Sequence, residues 1–365
     1  MASIGDVLTQ LDSWAPYTYQ ESYDNSGLIV GDKAQEVKGI LLSLDVTEKV
    51  IDEAIQHKCN LIVSHHPIVF SGLKRFTGSD YVERCVIKAI KNDIALLSIH
   101  TNLDNVVHGV NLALCKQLDF EAVRVLSPLK SNLYKLVYFC PIEHHERVRK
   151  EVFAAGAGSI GNYQECSFNL EGEGTFKPNK NAKPYTGEIG ELKKENEIRV
   201  EVLVEKPLLS KVLQTLLKAH PYEEVAYDVY ALENMHHSIG AGMLARIKQP
   251  LSEEAFLQHV KTKTGSRIIR HSPFTGNKVE WVALCGGSGS FLTQTALSAG
   301  AQAFITSDFK YHQFFDANNQ LLITDIGHFE SECFIMNAIH DFLKKNFTNL
   351  ALRLTEFSTN PVNYF

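Results

Sequence analysis

Asn60-Leu61-Ile62-Val63-Ser64-His65-His66-Pro67 is the stretch that decides how this chain is read. A short apolar, β-branched run of strand type delivers two adjacent histidines to a point where proline stops the strand. Along a regular strand the two imidazoles would face opposite ways. At a frayed strand end the backbone can bend, and both can turn towards one opening. Imidazole is the commonest protein ligand for transition metals. A lone His-His pair can equally serve as a hydrogen-bonded strand end, so a metal reading needs carboxylates and further histidines elsewhere.

Working outward, those partners fall at matching places. Residues 39–45 form a buried-strand pattern ending in Asp45. Thr47 is placed to cap a helix through His57, with Glu48 and Asp52 in its early turns. A helix over 79–92 leads to a third strand at 94–99, followed by His100-Thr101-Asn102-Leu103-Asp104. Continuous apolar strands alternating with helices predict a parallel sheet covered on its faces. In such sheets ligands collect beyond the carboxyl ends of the strands, which is where Asp45, His65, His66, His100 and Asp104 lie. Upstream, residues 4–14 read as an amphipathic helix, and Asp24-Asn25-Ser26-Gly27 as a tight turn.

Pro128 and Lys130-Ser131-Asn132 mark a boundary, which divides the chain into 1–127, 128–235 and 236–365. The middle part reads βαββαβ, the order of a ferredoxin-like α+β unit. Its strands are expected at 133–140, 172–176, 197–204 and 225–232, its helices at 144–154 and 208–219. The glycines of 155–163 lack the spacing of a nucleotide loop and read as a structural turn. His220 and His237 could each be a ligand, but His220 ends a helix, where an imidazole favours the dipole, and His237 is read as a linker residue. In the last part, Cys285-Gly286-Gly287-Ser288-Gly289-Ser290 follows a strand and is expected to leave backbone N–H groups free for an anion. The strand 303–306 leads to Asp308 and His312. The strand 321–325 leads to a helix running from His328 to about 345. His328 and Glu332, four apart, share one helix face, where together they can hold a metal or straddle two.

Composition narrows the function classes. A chain of 365 residues with 44% hydrophobic content is long enough for two or three domains. A net charge of -6 argues against nucleic-acid coating, which needs a basic stripe. No apolar run approaches the roughly 20 residues of a membrane span. Met1-Ala2-Ser3-Ile4-Gly5-Asp6 shows no leader pattern. Seven scattered cysteines without Cys-x-x-Cys spacing read as buried thiols of a cytoplasmic protein.

Three motifs together carry a resemblance. Ser64-His65-His66-Pro67, Thr101-Asn102-Leu103-Asp104, and Gly327-His328 with Ser331-Glu332 resemble the Nif-three-like family, the GTP cyclohydrolase type 2 homologues. Gln20-Glu21 with Asp24-Asn25 and Gly27-Leu28, and the stretch from Asp308 to His312, are similar to it too. Ser307 departs from the glycine more usual there. The resemblance implies an α/β protein of two similar α/β lobes, 1–127 and 236–365, flanking a dinuclear metal site. Residues 128–235 would be a PII/CutA-like insert. It places His65, His66, Asp104, His328 and Glu332 at ligand positions, and it implies a homohexamer. Asp45, His100, Asp308 and His312 are candidates to orient those ligands. A His and carboxylate set without thiolate suits two divalent ions of Zn, Fe, Mn or Co rather than Ca. Open positions on such ions suit a hydrolase of a small anionic or nucleotide-like substrate. The other reading is a metal-binding regulatory or scaffold protein without turnover.

Overall fold

The computed structural model describes residues 2–365. It divides into one unit made of Met1–Pro128 and His237–Phe365, and a second made of Leu129–His236. The architecture is mixed α/β.

The first unit contains two sheets. The five-stranded one has the order Gly27–Val30, Ala95–Ser98, Leu61–Ser64, Ile40–Ser43, Leu352–Leu354. All neighbours are parallel except Gly27–Val30, which runs antiparallel to Ala95–Ser98. The three central strands are buried along their whole length, which explains why their sequences are apolar without alternation. Helices Glu48–Gln56 and Tyr81–Lys91 cover one face, with Val50, Ile51, Val86 and Ala89 against Leu41, Ile62 and Leu96. Each begins at a side-chain cap: Thr47 accepts the Val50 N–H and Asp80 the Glu83 N–H.

The six-stranded sheet has the order Arg270–His271, Leu322–Asp325, Ala303–Ser307, Val279–Ser288, His236–Leu251, Glu121–Leu129. Its three central strands are again parallel. The sequence reading did not find Gly27–Val30, Glu121–Leu129 or Leu352–Leu354. Two of these exchange segments: Leu352–Leu354 completes the first sheet, and Glu121–Leu129 completes the second. The first and last segments are therefore interlaced through their sheets, and they share one unit. The expected single helix from His328 to about 345 is two, His328–Glu332 and Ile335–Asn346.

The second unit is inserted between adjacent strands of the six-stranded sheet: the chain leaves after Glu121–Leu129 and returns in His236–Leu251. The insert shows the βαββαβ order, with antiparallel strands ordered Ser167–Phe176, Lys193–Glu205, Leu133–Pro141, Tyr227–Leu232. Alternate residues Leu136, Tyr138, Cys140 and Ile198, Val200, Val202, Val204 pack on Val148, Val152, Val212 and Leu216 of its two helices. The 155–163 glycines turn the chain: Gly158 has φ +80, and a Cβ there would meet the Phe153 ring at 2.8 Å and the Cys166 carbonyl at 2.9 Å.

Candidate metal centre

The carboxyl ends of the parallel strands in the first unit carry the titratable residues. Leu61–Ser64 runs into His65 and His66, Ile40–Ser43 into Asp45, and Ala95–Ser98 into His100 and the short helix Thr101–Asp104. From the other sheet, Ala303–Ser307 runs into Asp308, and Leu322–Asp325 into the helix His328–Glu332.

Glu332 is the hub, and it is 3% exposed. Its Oε2 lies 3.0 Å from His66 Nε2, 3.0 Å from His328 Nε2 and 4.0 Å from His65 Nε2. Asp104 Oδ1 lies 3.5 Å from His65 Nε2. Ligand-capable atoms of three groups each fall within 4.8 Å of one another: His65, Asp104, Glu332; His66, His328, Glu332; and His65, His66, His100. All five residues expected as ligands are thus brought together, although residues 66 and 332 are 266 positions apart.

The imidazoles share one orientation. His65 Nδ1 lies 2.8 Å from the Ile99 carbonyl, which can only accept, so Nδ1 carries the proton and Nε2 presents a lone pair. His66 Nδ1 lies 2.7 Å from Asp45 Oδ1, and His328 Nδ1 lies 2.6 Å from Asp308 Oδ2. His100 Nδ1 lies 2.8 Å from Asp24 Oδ1. Holding the outer nitrogen this way fixes the ring and raises the basicity of the inner one, as in protein metal sites. Asp45 is itself braced by the Thr359 hydroxyl, at 2.6 Å.

Electrostatics follow from this packing. Burial pushes His65 down to about 3, so it is neutral and able to ligate. Burial also acts downward on His66 and His328, but carboxylates outweigh it. Asp45 and Glu332 bring His66 up to about 9, and Glu332 and Asp308 bring His328 up to about 11. Burial acts upward on Glu332, yet His328 and His66 hold it well below the usual carboxylate range. At Asp104 burial, and then the Glu332 charge, outweigh the lowering pull of His66 and His328 and raise it well above that range.

Whether a metal suits these residues is answered by two buried atoms. His65 Nε2 and Asp104 Oδ1 are buried and make no hydrogen bond. Leaving a buried lone pair unmatched costs about 1–3 kcal/mol, and two such atoms facing each other at 3.5 Å fit a shared cation. Beside them lies a cavity of about 220 Å³, bordered by Tyr23, His100, Asp104, Asn111, Cys285 and Glu332, among others. Burial, then Asp104 and Glu332, push the Cys285 thiol far up, which keeps it protonated beside the imidazole and carboxylate groups.

One expectation is corrected here. The Gly286–Gly289 turn does not offer free donors: Gly286 N–H goes to Asn111 Oδ1, Gly287 N–H to Ser331 Oγ, and Gly289 N–H to Thr306 Oγ1. The turn instead lets the hub approach, since Gly287 has φ +63 and a Cβ there would collide with Glu332 Oε1. His312 packs against the Tyr311 and Phe315 rings, at 5.1 and 6.4 Å. Asp24, read from the sequence as turn chemistry, proves to hold His100 and also to accept from Thr101 and Ser26. Its partner is 76 residues away, so no local spacing could have marked it. His220 is the helix-end residue expected; its Nε2 lies 2.9 Å from the Phe139 carbonyl. A further group, Glu53, His57 and Glu356, is a tether: Glu53 accepts from the Thr355 hydroxyl and the Glu356 N–H.

A mixed α/β chain with clustered His and carboxylate groups at strand ends is a candidate metal-binding protein of enzyme-like build. Among the described residues no helix is long and apolar enough to cross a membrane. The chain belongs to the Duf34/NIF3 (NGG1p interacting factor 3) family, whose profile matches residues 2–361. It is 34% identical over 366 residues to a Bacillus subtilis protein named GTP cyclohydrolase 1 type 2 homolog, covering 99% of this chain and 98% of that one. A Halalkalibacterium halodurans protein of the same name is 37% identical over 327 residues, covering 89% and 88%. The crystal structure of a Bacillus cereus protein related to NIF3 superposes with a TM-score of 0.85 at 34% identity, covering 100% of this chain and 99% of that one.

Proposed function

We propose that this protein holds two divalent metal ions and hydrolyses a small anionic or nucleotide-like substrate. His65, His66, Asp104, His328 and Glu332 would hold the ions, with Glu332 shared between them. The observation that carries this reading is the set of inward Nε2 atoms around one buried carboxylate, each ring pinned from outside. Such ions supply Lewis acidity and an activated water at neutral pH. Asp45, Asp308 and the Ile99 carbonyl keep the rings oriented. His100, held by Asp24 behind it, borders the cavity and is placed to carry a proton to or from a bound substrate. The cavity admits a phosphoryl or carboxyl group with its immediate neighbours, and the relatives' shared name points towards a nucleotide.

The test is elemental analysis of purified protein, joined to a panel of nucleotides and phosphoesters with Zn, Fe, Mn and Co. Two metal equivalents per chain and turnover lost in Glu332→Gln, with unchanged circular dichroism, are expected. Turnover that survives Glu332→Gln, or protein that takes up no metal, would defeat the proposal. Bound metal without turnover on any substrate would leave the regulatory or scaffold reading.

A further inference from the structure

The inserted unit has a cavity of its own, about 480 Å³, beside the ends of strands Leu133–Pro141 and Ser167–Phe176. That volume is in the range of small-molecule sites. Its walls are aromatic: Phe139, Phe176, Tyr185 and Tyr222. The Tyr222 ring lies 6.2 Å from Phe176 and 6.0 Å from Tyr185, both tilted rather than stacked. The remaining wall is acidic. Glu197 accepts the Tyr222 hydroxyl at 2.9 Å. It leans over Gly174, where a Cβ would collide with its Oε2. The sequence thus clears the sheet face at this point to admit a carboxylate.

Around the same space stand Glu223 and Glu224, against a single basic side chain, Lys177. Glu223 also accepts the Lys183 N–H at 2.6 Å, which ties down the loop that closes the cavity. The aromatic faces carry the negative side of their quadrupoles, and the carboxylates add full charges of the same sign. Both features repel an anion and attract a cation, and the apolar ring surface favours one with little hydration.

We propose that this cavity binds a small organic cation, an amine or guanidinium with an apolar flank, seated against the Tyr185 and Tyr222 rings with its charge at Glu197. The site is separate from the metal centre and does not depend on the hydrolase reading.

The experiment is calorimetric titration of the full-length protein with benzyltrimethylammonium, using benzyl alcohol and benzoate as neutral and anionic controls. Saturable binding of the cation is expected, with the alcohol at least about tenfold weaker and benzoate inert. Glu197→Gln, an isosteric change, should weaken the cation about tenfold or more. Tyr185→Ala removes a half-exposed ring and should weaken it as well, which covers the case that Glu197→Gln does not fold. Metal content should be unchanged in both. No heat with the cation up to about 10 mM, equal affinity for cation and alcohol, or a response to neither substitution would overturn the proposal.

Discussion

The candidate metal centre and the insert's cavity are built on opposite terms. At the centre, charged groups are drawn from stretches as far apart as Asp24 and Glu332, and most are paired, while His65 Nε2 and Asp104 Oδ1 stay buried without a hydrogen bond. In the insert, four rings and a carboxylate come from residues 139–224, and Glu197 and Tyr222 are locked together across the space. Burying charge is expensive unless it is paired, so the first kind of site tolerates little displacement. A cavity walled by rings pays no such penalty when vacant. The centre should therefore fail abruptly when one group is changed, and the cavity should fade by degrees.

The sharpest break is Glu332→Ala. It removes the one carboxylate shared by His66 and His328, and both metal equivalents should be lost together by elemental analysis. Loss of a single equivalent would show that the carboxylate is not shared. Next come the groups behind the rings. Asp308→Asn or Asp45→Asn should lower metal affinity about 10–100-fold in chelator competition, without emptying the site at saturating metal. A change confined to thermal stability would remove these carboxylates from the site.

Acidity provides a smaller effect of known sign. Against the downward pull of burial, the neighbouring carboxylates push His66 up to about 9 and His328 up to about 11, so both hold protons at neutral pH that a metal must displace. Apparent affinity should rise with pH between about 6 and 8, by about tenfold per unit for each proton released. A flat profile would mean that the rings are already neutral. Last, His312→Ala should leave metal content and affinity within about twofold, because that imidazole packs on Tyr311 and Phe315 instead. A larger loss would extend the centre beyond the groups seen here.

Much of the centre was legible in the linear chain because strand ends announce themselves. Leu61-Ile62-Val63-Ser64-His65-His66-Pro67 shows an apolar run, two ligand-capable histidines and a stop, and His328 and Glu332 declare their common face by spacing. Asp24 was illegible for the opposite reason: an Asp in a polar turn carries no mark of the histidine it will meet. The Gly286–Gly289 turn misled because glycine's freedom suits both anion binding and close packing. Only the hydrogen bonds to Asn111, Ser331 and Thr306 separate the two. The strands Glu121–Leu129 and Leu352–Leu354 escaped because each is completed by pairing with a distant segment, which periodicity does not record.

By itself the sequence determined the local matters: which stretches are buried strands, where a helix is capped at Thr47, which stretch runs βαββαβ and which side chains can ligate. These depend on neighbours a few residues apart, whose spacing is printed in the chain. Tertiary structure alone decided that Glu332 is the hub, that the outer nitrogens are pinned, that the two large sheets exchange strands, and that Glu197 faces an aromatic cavity. Those outcomes rest on distances between residues remote in the chain, set by how whole sheets pack.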